Sequence, residues 1–167
     1  MRRADDFDAF YVVWAPRLVR SVYLSTGDEE RARDCVQEAF VRAWERWDRL
    51  DQDPVAWVRT VAWRLAAKDW RRRGNLARIM SRHWPSQEEP VDTTPVALLA
   101  VKEALAQLST EMRTTVVLFY FEDLTVGAIA EVLRLPEGTV KARLSRARTA
   151  LATLLEEREM PCRSTQS

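Results

Sequence analysis

The sequence contains few of the residues that metal binding and side-chain catalysis commonly use. Among its 167 residues there are one histidine and two cysteines. His83 stands alone, and Cys35 and Cys162 lie far apart in the chain, so we expect neither a disulfide nor a zinc site. A glycine-rich phosphate loop, an H-E-x-x-H segment and a recognisable pair of catalytic carboxylates are also absent. These absences argue against an enzyme, and we expect no metal and no cofactor.

Long apolar runs are missing as well. The sequence has no uninterrupted apolar stretch of the roughly 18 residues that a membrane-spanning helix requires. Its start, MRRADDFDAF, lacks the apolar core of a signal peptide. We therefore expect a cytoplasmic protein that does not insert into a membrane.

Glycine is scarce, with four residues, and apolar residues recur with a helical period along most of the chain. An apolar content of 47% is enough to build packed cores. The sequence therefore predicts an all-α protein made of two small helical domains joined by a flexible linker. The predicted boundaries are 1–73 for the first domain, 74–93 for the linker, 94–157 for the second domain and 158–167 for a disordered tail.

Three helices are predicted in the first domain. Pro16 is expected to kink the first helix or divide it into two pieces. Asp28 and Asp53 are placed to cap the second and third helices, and Pro54 is a favourable first helical residue. The predicted helices span residues 5–25, 28–48 and 54–73, and Trp44 is expected on the apolar side of the second.

The third of these helices is strongly basic. Between residues 57 and 73 there are six basic residues and one acidic residue, interleaved with Trp57, Trp63 and Trp70. Cations attract phosphate, and aromatic planes stack on unpaired bases, so the helix is suited to a single nucleic-acid strand. The alternative is that the tryptophans pack in the core or against arginine stems. The pattern alone leaves both interpretations open.

In the second domain, helices are expected to start at Thr94-Pro95 and at Ser109.

A helix-turn-helix pattern occupies residues 124–155. Thr125 can cap a first helix, and Pro136 and Gly138 interrupt the apolar period before a second helix begins near Thr139. That second helix has one apolar face and, between residues 139 and 155, four basic residues and no acidic one. A helix of this kind fits the DNA major groove, although an ordinary helical hairpin with a solvated basic face shows the same pattern.

Three motifs in the order and spacing seen here resemble those of a bacterial RNA polymerase sigma factor of the extracytoplasmic-function (ECF) type. DCVQEAFVRAW at residues 34–44 is similar to the family segment D-x-V-Q-E-x-F-x-x-A-[WY]. AWVRTVA at residues 56–62 is similar to x-W-L-x-x-I-A, and GTVKARLSRAR at residues 138–148 to G-T-V-K-S-R-L-x-R-A-R. The resemblance covers residues 5–155 and implies a region 2-like helical bundle followed by a region 4-like helix-turn-helix domain.

The resemblance implies a role for three surfaces. Without it, the polar face of the second helix is most simply a solvated acidic stripe. With it, that face is expected to dock on the β′ clamp helices of core polymerase, through Asp34, Gln37, Glu38 and Val41. The third helix, with the loop before it, is expected to hold the melted minus-ten element, through Trp57, Thr60, Trp63, Arg64, Lys68 and Arg71. The second domain is expected to bind the β flap and read the minus-thirty-five element, through Thr139, Lys141, Ala142, Arg143, Ser145 and Arg146.

The resemblance also implies a regulatory partner. Members of the family are commonly held by an anti-sigma factor, so we expect such a protein as a partner beside core polymerase and promoter DNA.

The chain departs from common family residues at Arg64, Lys68, Phe119 and Ala142, which bears on the promoter sequence it prefers. A stand-alone helix-turn-helix regulator would explain the second domain but would leave the acidic stripe and the Trp/Arg helix without a role.

Overall fold

The structure is a computed structural model that describes residues 4–50, 53–77 and 96–159, with side chains described for 4–50, 53–72 and 101–154. Within these residues the fold is all-α, as predicted, and contains no strand. Seven α-helices and one short 3-10 helix, Trp47–Arg49, are formed in the described ranges. The helices are α1 (Ala4–Thr26), α2 (Glu29–Trp44), α3 (Pro54–Ala77), α4 (Val96–Gln107), α5 (Thr110–Tyr120), α6 (Val126–Leu133) and α7 (Glu137–Glu159).

The chain is divided into two compact units. The first contains α1, α2 and α3, and the second contains α4, α5, α7 and most of α6. No described helix combines the length and apolar character needed to cross a membrane.

The first unit is a three-helix bundle in which each helix packs on the other two. Removal of large apolar side chains from water drives this packing, at about 25 cal/mol per Å² of apolar surface. The central core residues are fully or almost fully buried: Leu18, Val22, Val36, Phe40, Val58 and Ala62.

An aromatic cluster closes one end of this bundle. The Phe7 ring on α1 lies 5.0 Å from both the Trp44 ring and the Trp47 ring, measured between centroids. Phe10 lies 5.1 Å from Trp47 and 5.4 Å from Phe40. Tilted and edge-to-face contacts of this kind stabilise a core beyond simple area burial. The cluster therefore fixes α1 against α2 next to the outer face of α2.

The first helix differs from the prediction at Pro16. The helix continues unbroken from Ala4 to Thr26 with Pro16 inside it, so the expected division into two pieces is wrong. It ends at Gly27, whose φ of 73° is accessible to glycine without a steric penalty. Asp28 then caps α2, because its side chain accepts a hydrogen bond from the Arg31 backbone N–H at 3.1 Å. That cap was predicted and is confirmed.

The third helix begins as predicted but is longer. The Asp53 carboxylate accepts a hydrogen bond from the Ala56 N–H at 2.9 Å, which satisfies one of the free donors of the first turn. The helix then runs to Ala77, four residues past the predicted end at Arg73. Its last turn therefore enters the segment predicted as linker. The rest of that segment, residues 78–93, lies outside the described residues.

The second unit is built around α7, which packs on α4 and α5. Ser109 caps α5 by accepting from the Met112 N–H at 3.3 Å, and Thr125 caps α6 by accepting from the Ala128 N–H at 3.2 Å. Both positions were predicted helix starts, whereas the predicted Thr94-Pro95 start of α4 lies outside the described residues. The buried core includes Leu105, Val116, Val117, Leu118, Ile129, Val140, Leu144 and Ala147.

The turn between α6 and α7 is closed by backbone hydrogen bonds. The Leu135 N–H donates to Ala130 O at 2.9 Å and the Arg134 N–H to Glu131 O at 3.4 Å, the pairing of a Schellman motif. Arg134 occupies the left-handed position with a φ of 56°, where glycine is usual. The next helix begins at Glu137, two residues before the predicted start. It continues to Glu159, and the remaining tail, residues 160–167, lies outside the described residues.

Candidate polymerase and nucleic-acid interfaces

The outer face of α2 carries the four residues predicted to bind polymerase. Asp34, Gln37, Glu38 and Val41 follow one another at spacings of three, one and three residues, which places them on one stripe of the helix. All four side chains are exposed. The Glu38 carboxylate accepts a hydrogen bond from Arg42 Nε at 2.7 Å, within the same helix. None of these four side chains is therefore part of the core of the bundle.

This face of α2 also presents two exposed apolar side chains, Val41 within the stripe and Trp44 beside it. Val41 is 49% exposed and Trp44 is 51% exposed, although Trp44 was predicted to belong to the buried side of α2. The Trp44 ring also contacts the Phe7 ring, with centroids 5.0 Å apart. Large exposed apolar side chains beside a polar rim are typical of protein interfaces. Trp44 is thus a candidate contact residue that periodicity alone assigned to the wrong face.

A second stripe runs along α3. Residues 57, 60, 64, 68 and 71 are spaced by three or four positions and therefore share one side of the helix. Along it, Trp57 and Thr60 are half-buried, and the cationic side chains of Arg64, Lys68 and Arg71 are exposed. The structure thus brings together five of the six residues predicted to hold the melted strand.

Trp63 is the exception. It is 1% exposed, and its indole N–H is buried without a hydrogen-bond acceptor. It lies to one side of the stripe, because at 3.6 residues per turn position 63 is about 60° from position 60 and about 100° from position 64 around the helix axis. Trp63 is therefore a core tryptophan in the structure, the alternative that the sequence left open, and its predicted contact with DNA stays a prediction.

Arg46 lies beside this stripe, a position that the sequence did not indicate. Its guanidinium carbon lies 5.8 Å from the centroid of the Trp57 ring, a cation–π arrangement. Arg46 belongs to the turn after α2 and is exposed. The third helix and this turn therefore present a stacked cation and aromatic ring at the start of the basic stripe.

The first turns of α7 present the residues predicted to read duplex DNA. Lys141, Ser145 and Arg146 are exposed, while Thr139 and Ala142 are half-buried. The Lys141 ammonium lies 3.7 Å from the Glu137 carboxylate one turn earlier. Ion pairs this exposed are weak, so the ammonium remains available to an anionic ligand.

Arg143 does not belong to this outward face. Its side chain is 19% exposed, and its Nη2 atom lies 3.7 Å from a carboxylate oxygen of Glu111 on α5. The guanidinium is directed toward α5, so the structure does not bring Arg143 to the outward face, and its predicted contact with DNA stays a prediction.

Two titratable groups in the units are shifted by burial. Desolvation, with the negative charges of Asp69 and Asp34, raises the pKa of the Cys35 thiol to about 11. Desolvation lowers the pKa of the buried Arg113 guanidinium on α5 to about 10, which leaves it charged at neutral pH. Neither group lies on the stripes described above. Within the described part of the chain no three His, Cys, Asp or Glu side chains group as a metal site would require.

Comparison with known proteins assigns both units. Residues 10–76 match the family model of sigma-70 region 2, and residues 98–151 match that of sigma-70 region 4. The two units thus define a sigma-70-type protein with regions 2 and 4.

Relatives at the level of whole chains narrow this class. The chain is 35% identical over 158 residues to the ECF RNA polymerase sigma factor SigL of Mycobacterium tuberculosis, covering 89% of this chain and 88% of SigL. It is 25% identical to SigW, an ECF sigma factor of Bacillus subtilis, over 92% and 90% of the two chains. The fold matches that of sigma factor RpoE of Bartonella quintana, solved with the anti-sigma factor NepR, at a TM-score of 0.70 and 24% identity over 92% and 98% of the chains.

The chain belongs to the ECF family of RNA polymerase sigma factors. It is an alternative sigma factor, which binds core RNA polymerase and promoter DNA and directs transcription initiation.

Proposed function

We propose that the chain performs promoter recognition and melting through three surfaces. One binds polymerase, one binds the melted DNA strand and one binds duplex DNA. The observation that carries the proposal is the stripe on α3, where Trp57, Thr60, Arg64, Lys68 and Arg71 share one face. Exposed cations at helical spacing follow a phosphate backbone, and an adjoining aromatic ring offers a stacking plane to an unpaired base. A stripe of this kind is suited to a single strand, which a stand-alone duplex-binding regulator does not need.

The outer face of α2 is the proposed docking surface for polymerase. It combines the carboxylates of Asp34 and Glu38 with the exposed apolar side chain of Val41. In this role the apolar group supplies buried area and the charges set orientation, the usual division of labour in an interface. We propose that the β′ clamp helices of core polymerase are the partner of this face and that the β flap is a partner of the second unit.

Strand capture on α3 is proposed to drive melting. Stacking a base on an aromatic side chain contributes about 1–3 kcal/mol, and opening a DNA step costs on average about 1.4 kcal/mol. Each captured base of the minus-ten strand therefore offsets the opening of about one or two steps, and so part of the cost of forming the open complex. Trp57 provides the ring, and Arg64, Lys68 and Arg71 neutralise phosphates of the same strand.

The start of α7 is the proposed reader of the minus-thirty-five element. The helix-turn-helix places the first turns of its second helix in the major groove. Lys141 and Arg146 are the exposed cations of those turns and can donate to guanine acceptors or to phosphates. Thr139, Ala142 and Ser145 line the approach of the helix to the base edges.

An anti-sigma factor is the proposed regulator. Bartonella RpoE, whose fold this chain shares, is held by the anti-sigma factor NepR. An inhibitor that covers the stripe on α2 or the one on α3 would block initiation without any covalent change. We also propose that the chain has no catalytic activity of its own and works in the cytoplasm, where the polymerase is.

Reconstituted transcription tests the proposed function. Core polymerase free of sigma factors is incubated with and without the full chain on fragmented DNA from the source genome, and 5′ ends of transcripts are mapped. Discrete start sites that depend on the chain, with two shared upstream elements, are the expected result. Absence of both initiation and binding to core would refute the proposal and favour a stand-alone regulator.

A further inference from the structure

A charged and aromatic cluster on the second unit has no role in the surfaces described so far. Arg148 on α7 donates a hydrogen bond from Nε to the Tyr120 hydroxyl at the end of α5, at 2.9 Å. The guanidinium carbon also lies 5.7 Å from the centroid of the Phe119 ring and 6.0 Å from that of Tyr120. The two rings contact each other edge to face, with centroids 4.9 Å apart.

This cluster is exposed and its arginine is only partly engaged. Tyr120 is 55% exposed, and Arg148 is exposed as well. A guanidinium has five N–H donors, of which the bond to Tyr120 uses the one on Nε. The Nη donors form the side of the planar fork that binds an anion bidentately. The tyrosine and phenylalanine therefore hold the charged plane in place without using its anion-binding edge.

The position of Arg148 on α7 indicates the ligand. It follows Lys141 by seven residues and Ser145 by three, so the three side chains lie along one side of the helix. Seven residues correspond to about 10 Å along the helix axis. A side chain that far beyond the first turns of a recognition helix lies past the base edges, where the helix leaves the groove beside the backbone.

We propose that Arg148 binds a backbone phosphate of the minus-thirty-five duplex and that Tyr120 is its positioning residue. The inference rests on the proposed function of the second unit and adds to it a contact that does not depend on base sequence. An arginine already fixed by a hydrogen bond and two rings loses less conformational freedom when it binds a phosphate. The contact therefore increases affinity and sets the register of α7 in the groove, while the first turns of α7 select the bases.

Salt-dependent promoter binding by the reconstituted holoenzyme tests the proposal. The probes are a labelled promoter fragment recovered from the transcription experiment and the same fragment with its upstream element scrambled. Affinities are measured between about 0.05 and 0.2 M salt, because each lost phosphate contact lowers the slope of log K against log salt by about 0.9. The variants are Arg148→Ala, Arg148→Lys and Tyr120→Phe.

A matched control is available in the first unit. Arg17 also lies over an aromatic ring, with its guanidinium carbon 5.1 Å from the Trp14 centroid. Arg17→Ala removes the same charge and the same kind of contact at a site with no proposed DNA role, and its binding should equal that of the wild type.

The expected pattern separates a phosphate contact from a structural one. Arg148→Ala should weaken binding of both fragments by a similar factor, about five- to tenfold, and reduce the salt slope by about 0.9. Arg148→Lys should keep the slope, and Tyr120→Phe should keep the slope while lowering affinity about twofold to fivefold, because the charge remains but is less well positioned.

Three results would overturn the proposal. A lower melting temperature of Arg148→Ala with unchanged affinity and slope would make the cluster a link between α5 and α7 only. A loss confined to the native upstream element would assign a base contact instead. Failure of the wild-type holoenzyme to bind the promoter would overturn the proposed function itself, and the inference with it.

Discussion

Arg31 on α2 and Asp69 on α3 join the two helices of the first unit that carry its proposed functional stripes. The guanidinium Nη1 lies 2.6 Å from the Asp69 carboxylate, while Nε of the same side chain lies 3.0 Å from the Asp28 carboxylate that caps α2. One arginine therefore connects the start of α2 with the second half of α3. Since the proposed polymerase-binding stripe is on α2 and the proposed strand-binding stripe is on α3, this connection helps to fix the two surfaces relative to each other within the unit.

Asp69→Asn should destabilise the first unit modestly. Both side chains of the pair are about 40% exposed, so solvent screening limits the expected loss of unfolding free energy to about 0.5–1 kcal/mol. Thermal unfolding of the full chain measures it. Arg33→Gln is the matched control, because Arg33 pairs with Glu29 inside α2 and connects no second helix. Equal losses in the two variants would contradict a linking role for Arg31 and Asp69.

Val41→Asp should weaken binding to core polymerase by tenfold or more, on the order of 1.4 kcal/mol. The substitution introduces a charge into the apolar part of the proposed interface while leaving the core of the bundle untouched, since Val41 is 49% exposed. Binding of labelled chain to core polymerase measures the effect. Val12→Asp on α1, where the native side chain is 70% exposed, supplies the control and should bind normally. Normal binding by Val41→Asp would remove the α2 stripe from the proposed interface.

Trp57 and Trp63 should respond differently to truncation. Trp63→Ala opens a cavity in the core and should reduce the unfolding free energy by about 3–5 kcal/mol. Trp57→Ala should destabilise less and should mainly reduce capture of unpaired DNA, because it is half-buried under Arg46. Thermal unfolding and permanganate footprinting of open complexes measure the two effects. Normal open-complex formation by a folded Trp57→Ala chain would show that stacking on Trp57 is not needed.

Lys141→Ala and Arg146→Ala should each weaken binding of the native upstream element. A lost base contact corresponds to about 1–3 kcal/mol, or roughly fivefold to more than a hundredfold in affinity. Holoenzyme binding to the native and scrambled promoter fragments measures the loss, which should be larger on the native one. Arg20→Ala on α1 removes an exposed charge from the other unit and serves as the control. Unchanged promoter affinity in both variants would sink the assignment of this helix face.

Cys35 should react slowly with alkylating reagents while the chain is folded. Its pKa of about 11, against 9.0 for an unperturbed thiol, means about a hundredfold less thiolate at pH 8. Alkylation rates of a Cys162→Ser chain, folded and in urea, measure the difference. As pH rises from 9 to 11 the unfolded chain releases the thiol proton while the folded chain keeps it, so unfolding free energy should fall in that range. Equal alkylation rates in the folded and unfolded chains would refute the raised pKa.

Local features were the most predictable part of this fold. Asp28, Asp53, Ser109 and Thr125 cap helices as expected, because a capping hydrogen bond depends on the side chain and on a backbone donor two or three residues later. Of the two outcomes expected at Pro16, a kink or a division into two pieces, the division did not occur, and α1 continues although proline removes a backbone hydrogen bond. The end of α3, which the structure places at Ala77, was predicted four residues too early.

The sequence by itself determined the class of the protein. Its helical periods, its caps and three motifs in order are local or evenly spaced, and they specify two helical units and the family without any knowledge of packing. Tertiary structure alone decided which side chains of each motif reach solvent. Trp63 and Arg143 stand in the right motifs yet turn inward, and Arg148 and Tyr120 meet although they are 28 residues apart. Contacts of this kind depend on how helices rotate against one another, and no spacing along a single helix encodes that rotation.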